Sequence, residues 1–157
     1  MEIIFENLTI ERAYDIDALS SFSCGVREID QLIHKKNDGL KSFVCQTPCE
    51  CYLVKYADET VAVFVVSRRT ITLEDSPEDT LELDFLAVKQ GFREKRIGSI
   101  VIEQIEAKAR EDDYHFITTD AFVNRRYSAI GFYLKKGFEI IGEKQINAVP
   151  MLKYLEP

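Results

Sequence analysis

The sequence predicts an α/β fold, a mixed and mostly antiparallel sheet of six or seven strands flanked by about four helices. Two observations carry this reading. Short runs rich in β-branched and aromatic residues recur along the chain, and stretches with apolar residues at helical spacing fall between them. No internal repeat, low-complexity tract or linker breaks that order. A chain of 157 residues suffices for one well-buried core and not for two comfortable ones, so 1–157 is expected to be a single domain.

The elements can be justified one by one. Residues 2–10, EIIFENLTI, alternate as a first strand with Ile3, Phe5 and Leu8 inward. Residues 11–22 mix helix formers with acids and lead into FSCG. A helix starts near Val26, where Val26, Ile29, Leu32 and Ile33 make one apolar face and Asn37-Asp38-Gly39 supplies left-handed formers to close it. Residues 50–57 and 61–68 read as strands joined by a hairpin turn at Asp58-Glu59-Thr60. The second contains VAVFVV, apolar throughout, as in a central strand covered on both faces. Thr72 to Thr80, with Pro77 and four acids, reads as a solvated loop.

The following stretch, LELDFLAVKQGFREKRIG, organises the rest. Leu81, Leu83, Phe85 and Ala87 share one face of a strand, and Glu82, Asp84, Leu86 and Val88 share the other. A helix with Ile97, Ile100, Val101 and Ile105 on its apolar side then runs to about Asp112. His115 to Phe122 reads as a fifth strand, 125–136 as a helix using Ile130, Tyr133 and Leu134, and FEIIGE and Val149 to Tyr154 as closing strands.

The charge is uneven. Of 27 acidic and 20 basic side chains, residues 1–80 carry 15 and 8 and the remainder carry 12 of each, for a net −7. That balance argues against a broad nucleic-acid surface, which needs clustered positive charge, and mildly favours cationic or neutral acceptors. No run approaches the roughly 18 apolar residues that span a bilayer. The start, MEIIFENLTI, has no basic segment followed by an apolar one, so the cytoplasm and no membrane partner are expected. Cys45, Cys49 and Cys51 have C-x3-C-x-C spacing, which does not match paired C-x2-C zinc units. With only His34 and His115 available as partners, these thiols and Cys24 read as buried side chains, and no metal is expected.

Against the acidic background, Lys89, Arg93, Lys95 and Arg96 form a basic loop beside a single Glu94. The helix beginning near Arg96 or Ile97 points its free N–H groups into that loop. Free N–H groups, the positive end of the helix dipole and guanidinium groups favour the same guest, a phosphate or pyrophosphate.

Here the residues carry a resemblance. Arg93 to Gly98 after LAV resembles the pyrophosphate loop Q/R-x-x-G-x-G/A of the GCN5-related N-acetyltransferase (GNAT) family, with Arg96 at the first glycine. Downstream, Asn124 to Phe138 resembles that family's later signature through Ala129, Ile130, Tyr133, Gly137 and Phe138. The phrase FSCGVREIDQLI resembles the opening of a branch that includes toxins paired with antitoxins. The resemblance implies the splayed acetyltransferase fold and acetyl-CoA as co-substrate. It implies that Leu86, Ala87 and Val88 bond the pantetheine arm through their main chain, that Arg93, Lys95, Arg96, Ile97, Gly98 and Ser99 surround the pyrophosphate, and that Asn124 contacts the arm. At Arg96, a helical φ is expected and the guanidinium would grip a phosphate in place of the glycine.

The implied chemistry is attack of an amine on a thioester. A protonated amine has no lone pair, so a base must take its proton, and the departing thiolate must be stabilised. The resemblance assigns Tyr133 as the acid toward sulfur. It assigns Glu82 as the base, four residues before the LAV triplet, with Asp84 raising its pKa by like-charge repulsion. The acceptor would be a primary amine of a small molecule or protein, and a homodimer is compatible with the sequence. Two alternatives remain open: a toxin acting on aminoacyl-tRNA, with Arg68, Arg69, Arg125 and Arg126 converging locally, or a catalytically silent acyl-CoA binding module.

Overall fold

The computed structural model describes residues 5–14, 16–19, 22–25, 27–34, 49–93 and 96–156. The elements are strands β1 Leu8–Ala13, β2 Glu50–Tyr56, β3 Glu59–Leu73, β4 Ser76–Val88, β5 Phe116–Phe122, β6 Glu139–Ile140 and β7 Ala148–Tyr154, with helices α1 Arg27–His34, α2 Ile97–Glu111 and α3 Ile130–Lys135. The strands make one seven-stranded sheet in the order β1-β2-β3-β4-β5-β7-β6. β1–β2, β2–β3, β5–β7 and β6–β7 pair antiparallel, and β4 and β5 run parallel. The chain divides into two compact units, Met1–Ser67 with Phe85–Val101, and Arg68–Asp84 with Ile102–Pro157.

In the first unit, β1 pairs with β2 from Leu8↔Tyr56 to Ala13↔Cys51, and β2 pairs with β3 from Glu50↔Val66 to Tyr56↔Glu59. Val61 to Val66 are buried without exception, as six consecutive apolar residues must be when both sheet faces are covered. Ile29 and Ile33 bring α1 into this core, and Cys24, Cys49 and Cys51 lie buried in it. Burial pushes the Cys51 thiol up to about 11 against the opposing pull of the Arg12 charge.

In the second unit, Leu81 and Leu83 of β4 are buried with Ile117 and Ala121 of β5, Met151 and Leu152 of β7, and Ile102, Ile105 and Ala109 of α2. Burying each large aliphatic side chain contributes about 1.5 to 3 kcal/mol, which makes this strip the main stabilising feature of the unit. The β4–β5 ladder is short, running from Leu81↔Ile117 to Leu83↔Thr119. Beyond it β5 continues against β7 to Phe122↔Ala148.

Several expectations are corrected. Among the described residues the first strand begins at Leu8. Phe5–Asn7 form a 3-10 turn, β1 extends to Ala13, and among the described residues of the stretch read as helix formers Ile16–Leu19 form a 3-10 turn. Three α-helices stand among the described residues. Ile3 and the closing Asn37-Asp38-Gly39 lie outside the described residues.

The stretch read as a solvated loop, 72–80, is a hairpin: β3 runs to Leu73, Glu74 and Asp75 turn, and β4 starts at Ser76. Thr70 donates across it to Asp79 at 3.0 Å. Glu74, Asp75, Pro77 and Asp79 are exposed, so the apolar alternation that marks a strand is missing although the segment is strand. Likewise the β2–β3 turn is Ala57-Asp58, earlier than expected, and Glu59 and Thr60 belong to β3.

Two C-terminal elements are shorter than expected. Asn124 Oδ1 accepts N–H bonds from Arg126 at 2.9 Å and Tyr127 at 2.7 Å, and Ala129 N–H donates to Phe122 O. The helix read at 125–136 therefore starts only at Ile130, and Leu134 is 50% exposed instead of packed. The strand read at 138–143 contracts to Glu139–Ile140. No helix among the described residues is long and apolar enough to cross a membrane.

Both two-residue turns, Ala57-Asp58 and Glu74-Asp75, have positive φ at each central residue (47°, 71°, 50° and 65°). That geometry suits Asn-Gly and strains Ala or Glu. Replacing Glu74-Asp75 by Asn-Gly is expected to stabilise the protein by about 1 kcal/mol. Thermal melting should show a rise of roughly 3 °C, as expected for that gain at this chain length.

Candidate active site

The pleat of β4 places Glu82 and Asp84 on the face opposite Leu81 and Leu83. Paired residues of neighbouring strands share a face, so Thr118 and Asp120 of β5 stand with the two acids, and Thr119 stands with Leu83. Arg69 from β3 bridges the acids, its Nε 3.3 Å from Glu82 Oε2 and its Nη2 3.2 Å from Asp84 Oδ1. The Asp84 side chain is only 9% exposed, and its Oδ2 is buried with no hydrogen-bond partner among the described residues.

These neighbours act on Glu82 in opposite directions. Burial comes first and raises its pKa, followed by the charge of Asp84, a hydrogen bond between the two carboxyl groups and the charge of Asp120; the Arg69 guanidinium pulls the other way. The upward causes win, and the Glu82 carboxyl is pushed up to about 7. A single ion pair at 3.3 Å does not offset two further carboxylates and desolvation, because Arg69 is shared with Asp84 and partly open to water.

Tyr133 belongs to α3 and is buried, its ring edge-on to Phe132 at 5.1 Å and Phe138 at 5.3 Å. Its hydroxyl is hydrogen-bonded to Thr119. Thr119 Oγ1 also donates to Leu83 O at 2.8 Å, which fixes the threonine on β4. Burial holds the Tyr133 pKa well above its ordinary value, with the Thr119 bond pulling weakly the other way. The phenol therefore stays protonated through the physiological range. It is anchored at the last rung of the β4–β5 ladder, the rung that Glu82 and Asp84 flank in sequence.

In the first unit, the basic loop follows β4. Lys89 N–H donates to Val61 O at 2.8 Å, and Lys89 Nζ pairs with Glu59. Arg93 donates from Nε to Val88 O at 3.1 Å and from Nη2 to the carbonyl of Cys24. Ile97 is buried and opens α2, with the first helical bond running from Ile100 N–H to Arg96 O at 3.0 Å. The N–H groups of Ile97, Gly98 and Ser99 thus belong to the helix's first turn, where the helix itself supplies no acceptor. Arg96 is exposed with φ 67°, and Lys95 lies outside the described residues.

A family model described as the acetyltransferase (GNAT) family matches residues 13–138. The chain belongs to the GNAT acetyltransferase family. A search of curated proteins finds no match to the sequence. Solved structures with the same fold include the KacTA–DNA complex, at TM-score 0.71 and 16% identity over 94% of this chain and 93% of that one. A mutant AtaT toxin bound to the C-terminus of the antitoxin AtaR and acetyl-CoA matches at TM-score 0.68 and 17% identity over 91% of each chain. A GNAT family acetyltransferase from Elizabethkingia anophelis with acetyl-CoA bound matches at 0.64 and 19% over 96% of this chain and 99% of that one.

For this GNAT chain the candidate residues separate into groups. Glu82, Asp84 and Tyr133 occur in one unit beside three residues that motif reading does not assign to the chemistry: Arg69, Thr119 and Asp120. Arg69 had appeared only as a prospective nucleic-acid contact. It is engaged by Glu82 and Asp84, while Arg68 pairs with Asp112 at 3.5 Å. Leu86, Ala87, Val88, Arg93, Arg96, Ile97, Gly98 and Ser99 occur in the other unit. There Arg93 serves backbone carbonyls. Asn124 spends its carbonyl oxygen on its own turn.

Arg96 is the departure that the structure corrects. Its expected helical φ is replaced by φ 67°, so the backbone here adopts the left-handed conformation that a glycine provides without cost. Arginine bears it at a cost of about 1 to 2 kcal/mol. Because glycine also loses more freedom on folding, Arg96→Gly is expected to stabilise by a net of about 0.5 to 1 kcal/mol. Urea unfolding checks this, and a destabilised variant would show that Arg96 side-chain contacts outweigh the strain.

The Glu82 shift has a stability consequence. A carboxyl raised from 4.5 to about 7 contributes stability below its unfolded pKa that is lost as pH rises through 7. Glu82→Gln should therefore be more stable than the parent at pH 8, by on the order of 2 kcal/mol, and indistinguishable from it at pH 4. Melting curves at both pH values test the difference.

Proposed function

We propose that the protein is an acetyl-CoA dependent N-acetyltransferase that moves the acetyl group to a primary amine of a small molecule or protein by direct attack on the thioester. The observation that carries the reading is a carboxyl, Glu82, poised near neutral pH at the end of the β4–β5 ladder, with a protonated phenol, Tyr133, tied to the last rung of the same ladder through Thr119 on the other face. Acyl transfer to an amine needs this combination. Glu82, half deprotonated near pH 7, takes the proton that the amine must lose as its nitrogen bonds to the acyl carbon. Tyr133 supplies a proton to the sulfur as the C–S bond breaks, and Thr119 holds the phenol oriented while it does so. Asp84 and Asp120 keep Glu82 basic enough to act.

Coenzyme A carries the acetyl group as an activated thioester, and this chain's part is to hold it. The free N–H groups at the start of α2, with Arg96 beside them, suit its pyrophosphate, and the main chain of Leu86 to Val88 suits the pantetheine arm. The left-handed Arg96 supports an active enzyme over a silent binding module, since the loop adopts a glycine-type conformation despite the substitution.

A second reading, a toxin that acetylates aminoacyl-tRNA and is held by an antitoxin, is favoured by the similarity of fold to the KacT and AtaT structures. The net charge of −7 and the engagement of Arg68 and Arg69 by carboxylates speak against it, because tRNA requires an unpaired positive path. Cell-free translation with added acetyl-CoA separates the two. Arrest that depends on Tyr133 would favour the toxin, and uninterrupted synthesis the amine acetyltransferase.

Thiol release from acetyl-CoA with a panel of primary amines tests the main reading. Tyr133→Phe should lower kcat by about 100-fold with acetyl-CoA affinity unchanged, the usual scale for removing a general acid. The kcat/KM of the parent should fall as pH drops through about 7, and Glu82→Gln should lose that limb. Turnover by Glu82→Gln with the parent's pH profile would remove Glu82 from the mechanism.

A further inference from the structure

The FSCG phrase and α1 contain a carboxylate that the acetyl-transfer chemistry does not use. Asp30, in the second turn of α1, folds back over the loop before the helix. Its Oδ1 accepts Cys24 N–H at 2.7 Å, and its Oδ2 accepts Ser23 O–H at 2.7 Å and Gly25 N–H at 3.3 Å. His34, one turn further along α1, fixes the other end of the phrase by bonding Phe22 O from Nε2 at 2.7 Å. Four successive residues, Phe22 to Gly25, are thereby tied to one helix.

The phrase in turn grips the basic loop. The carbonyl of Cys24 accepts both Gln90 N–H, at 2.9 Å, and the Arg93 guanidinium, and Arg93 also holds Val88 O. Gly25, with φ 87°, lies so close to the Gln90 side chain that a Cβ there would come within 2.8 Å of Gln90 Cβ. Hydrogen bonds to a carboxylate are stronger than neutral ones, so Asp30 is the fixed point of this chain of contacts. These bonds hold its pKa below the usual carboxylate value against the raising effect of burial.

We propose that Asp30 is a positioning residue for the anion-binding loop: by fixing the Cys24 peptide it presents the Cys24 carbonyl as the shared acceptor for Gln90 and Arg93, and so sets the conformation of the chain from Lys89 to Arg93 as it leaves β4. The contacts themselves stand independently of function; that their loss weakens cofactor binding rests on the acetyltransferase reading above. On this account the FSCG phrase and Asp30 form one device, a strap that transmits the position of α1 to the loop. Arg93 serves the cofactor by holding the loop rather than by touching phosphate.

The test uses Asp30→Asn, Asp30→Glu and Arg93→Gln in the full chain, with two readouts. Hydrogen exchange should show the Gln90 amide losing protection by at least about tenfold in Asp30→Asn, the scale of one charged hydrogen bond, while amides of β3 keep theirs. Calorimetry with acetyl-CoA well below the melting temperature should show Kd rising about tenfold in Asp30→Asn and in Arg93→Gln, with the double variant no weaker than the worse single one, because both act through the Cys24 carbonyl. Asp30→Glu, which keeps the charge, should recover part of the loss. Unchanged exchange at Gln90, or additive losses in the double variant, would overturn the proposal. If exchange responds as expected while the parent fails to bind acetyl-CoA, the positioning role stands and the acetyltransferase reading falls.

Discussion

The pleat of β4 is the constraint on which the candidate site depends. Successive side chains of a strand point to opposite faces, so burying Leu81 and Leu83 obliges Glu82 and Asp84 to share the other face. Their closeness is thus a consequence of core packing. Pairing with β5 then brings Asp120 to the same face and Thr119 to the opposite one, where it holds Tyr133. A one-residue slip of β4 would exchange the acids with the leucines and lose both the core and the acid pair.

The protein also shows how far a local charge count is from a local field. The loop reads as an excess of cations, yet Lys89 is answered by Glu59, and Arg93 is turned inward onto carbonyl groups. Conversely, the acids around Glu82 are incompletely neutralised, because one guanidinium faces two carboxylates with a third nearby. That imbalance keeps Glu82 basic near neutral pH, at a cost in folding stability above it.

Left-handed backbone recurs where the chain must change direction. Ala57-Asp58, Glu74-Asp75 and Arg96 all occupy this region without glycine. At the two hairpins it matches the twist of the flanking strands. At Arg96 it sets the entry into α2, whose buried Ile97, Val101, Ile102 and Ile105 offset the strain.

The sequence by itself determined the elements that have a buried face. VAVFVV, the alternation of β4, the apolar side of α2, and the strands β5 and β7 are legible because burial imposes a period on neighbouring residues. The two family signatures are legible for a related reason, since a loop or turn of fixed shape needs its residues at fixed spacing. Only the tertiary structure decided the rest. The exposed 72–80 hairpin, the turn that Asn124 ties, the embrace of Cys24 and Gly25 by Asp30, and the convergence of Arg69 and Asp120 on Glu82 join groups whose contact leaves no period in the chain. Asp84 was visible as a neighbour of Glu82 because it is two residues away. Burial, the largest influence on that carboxyl, depends on everything packed around it in space.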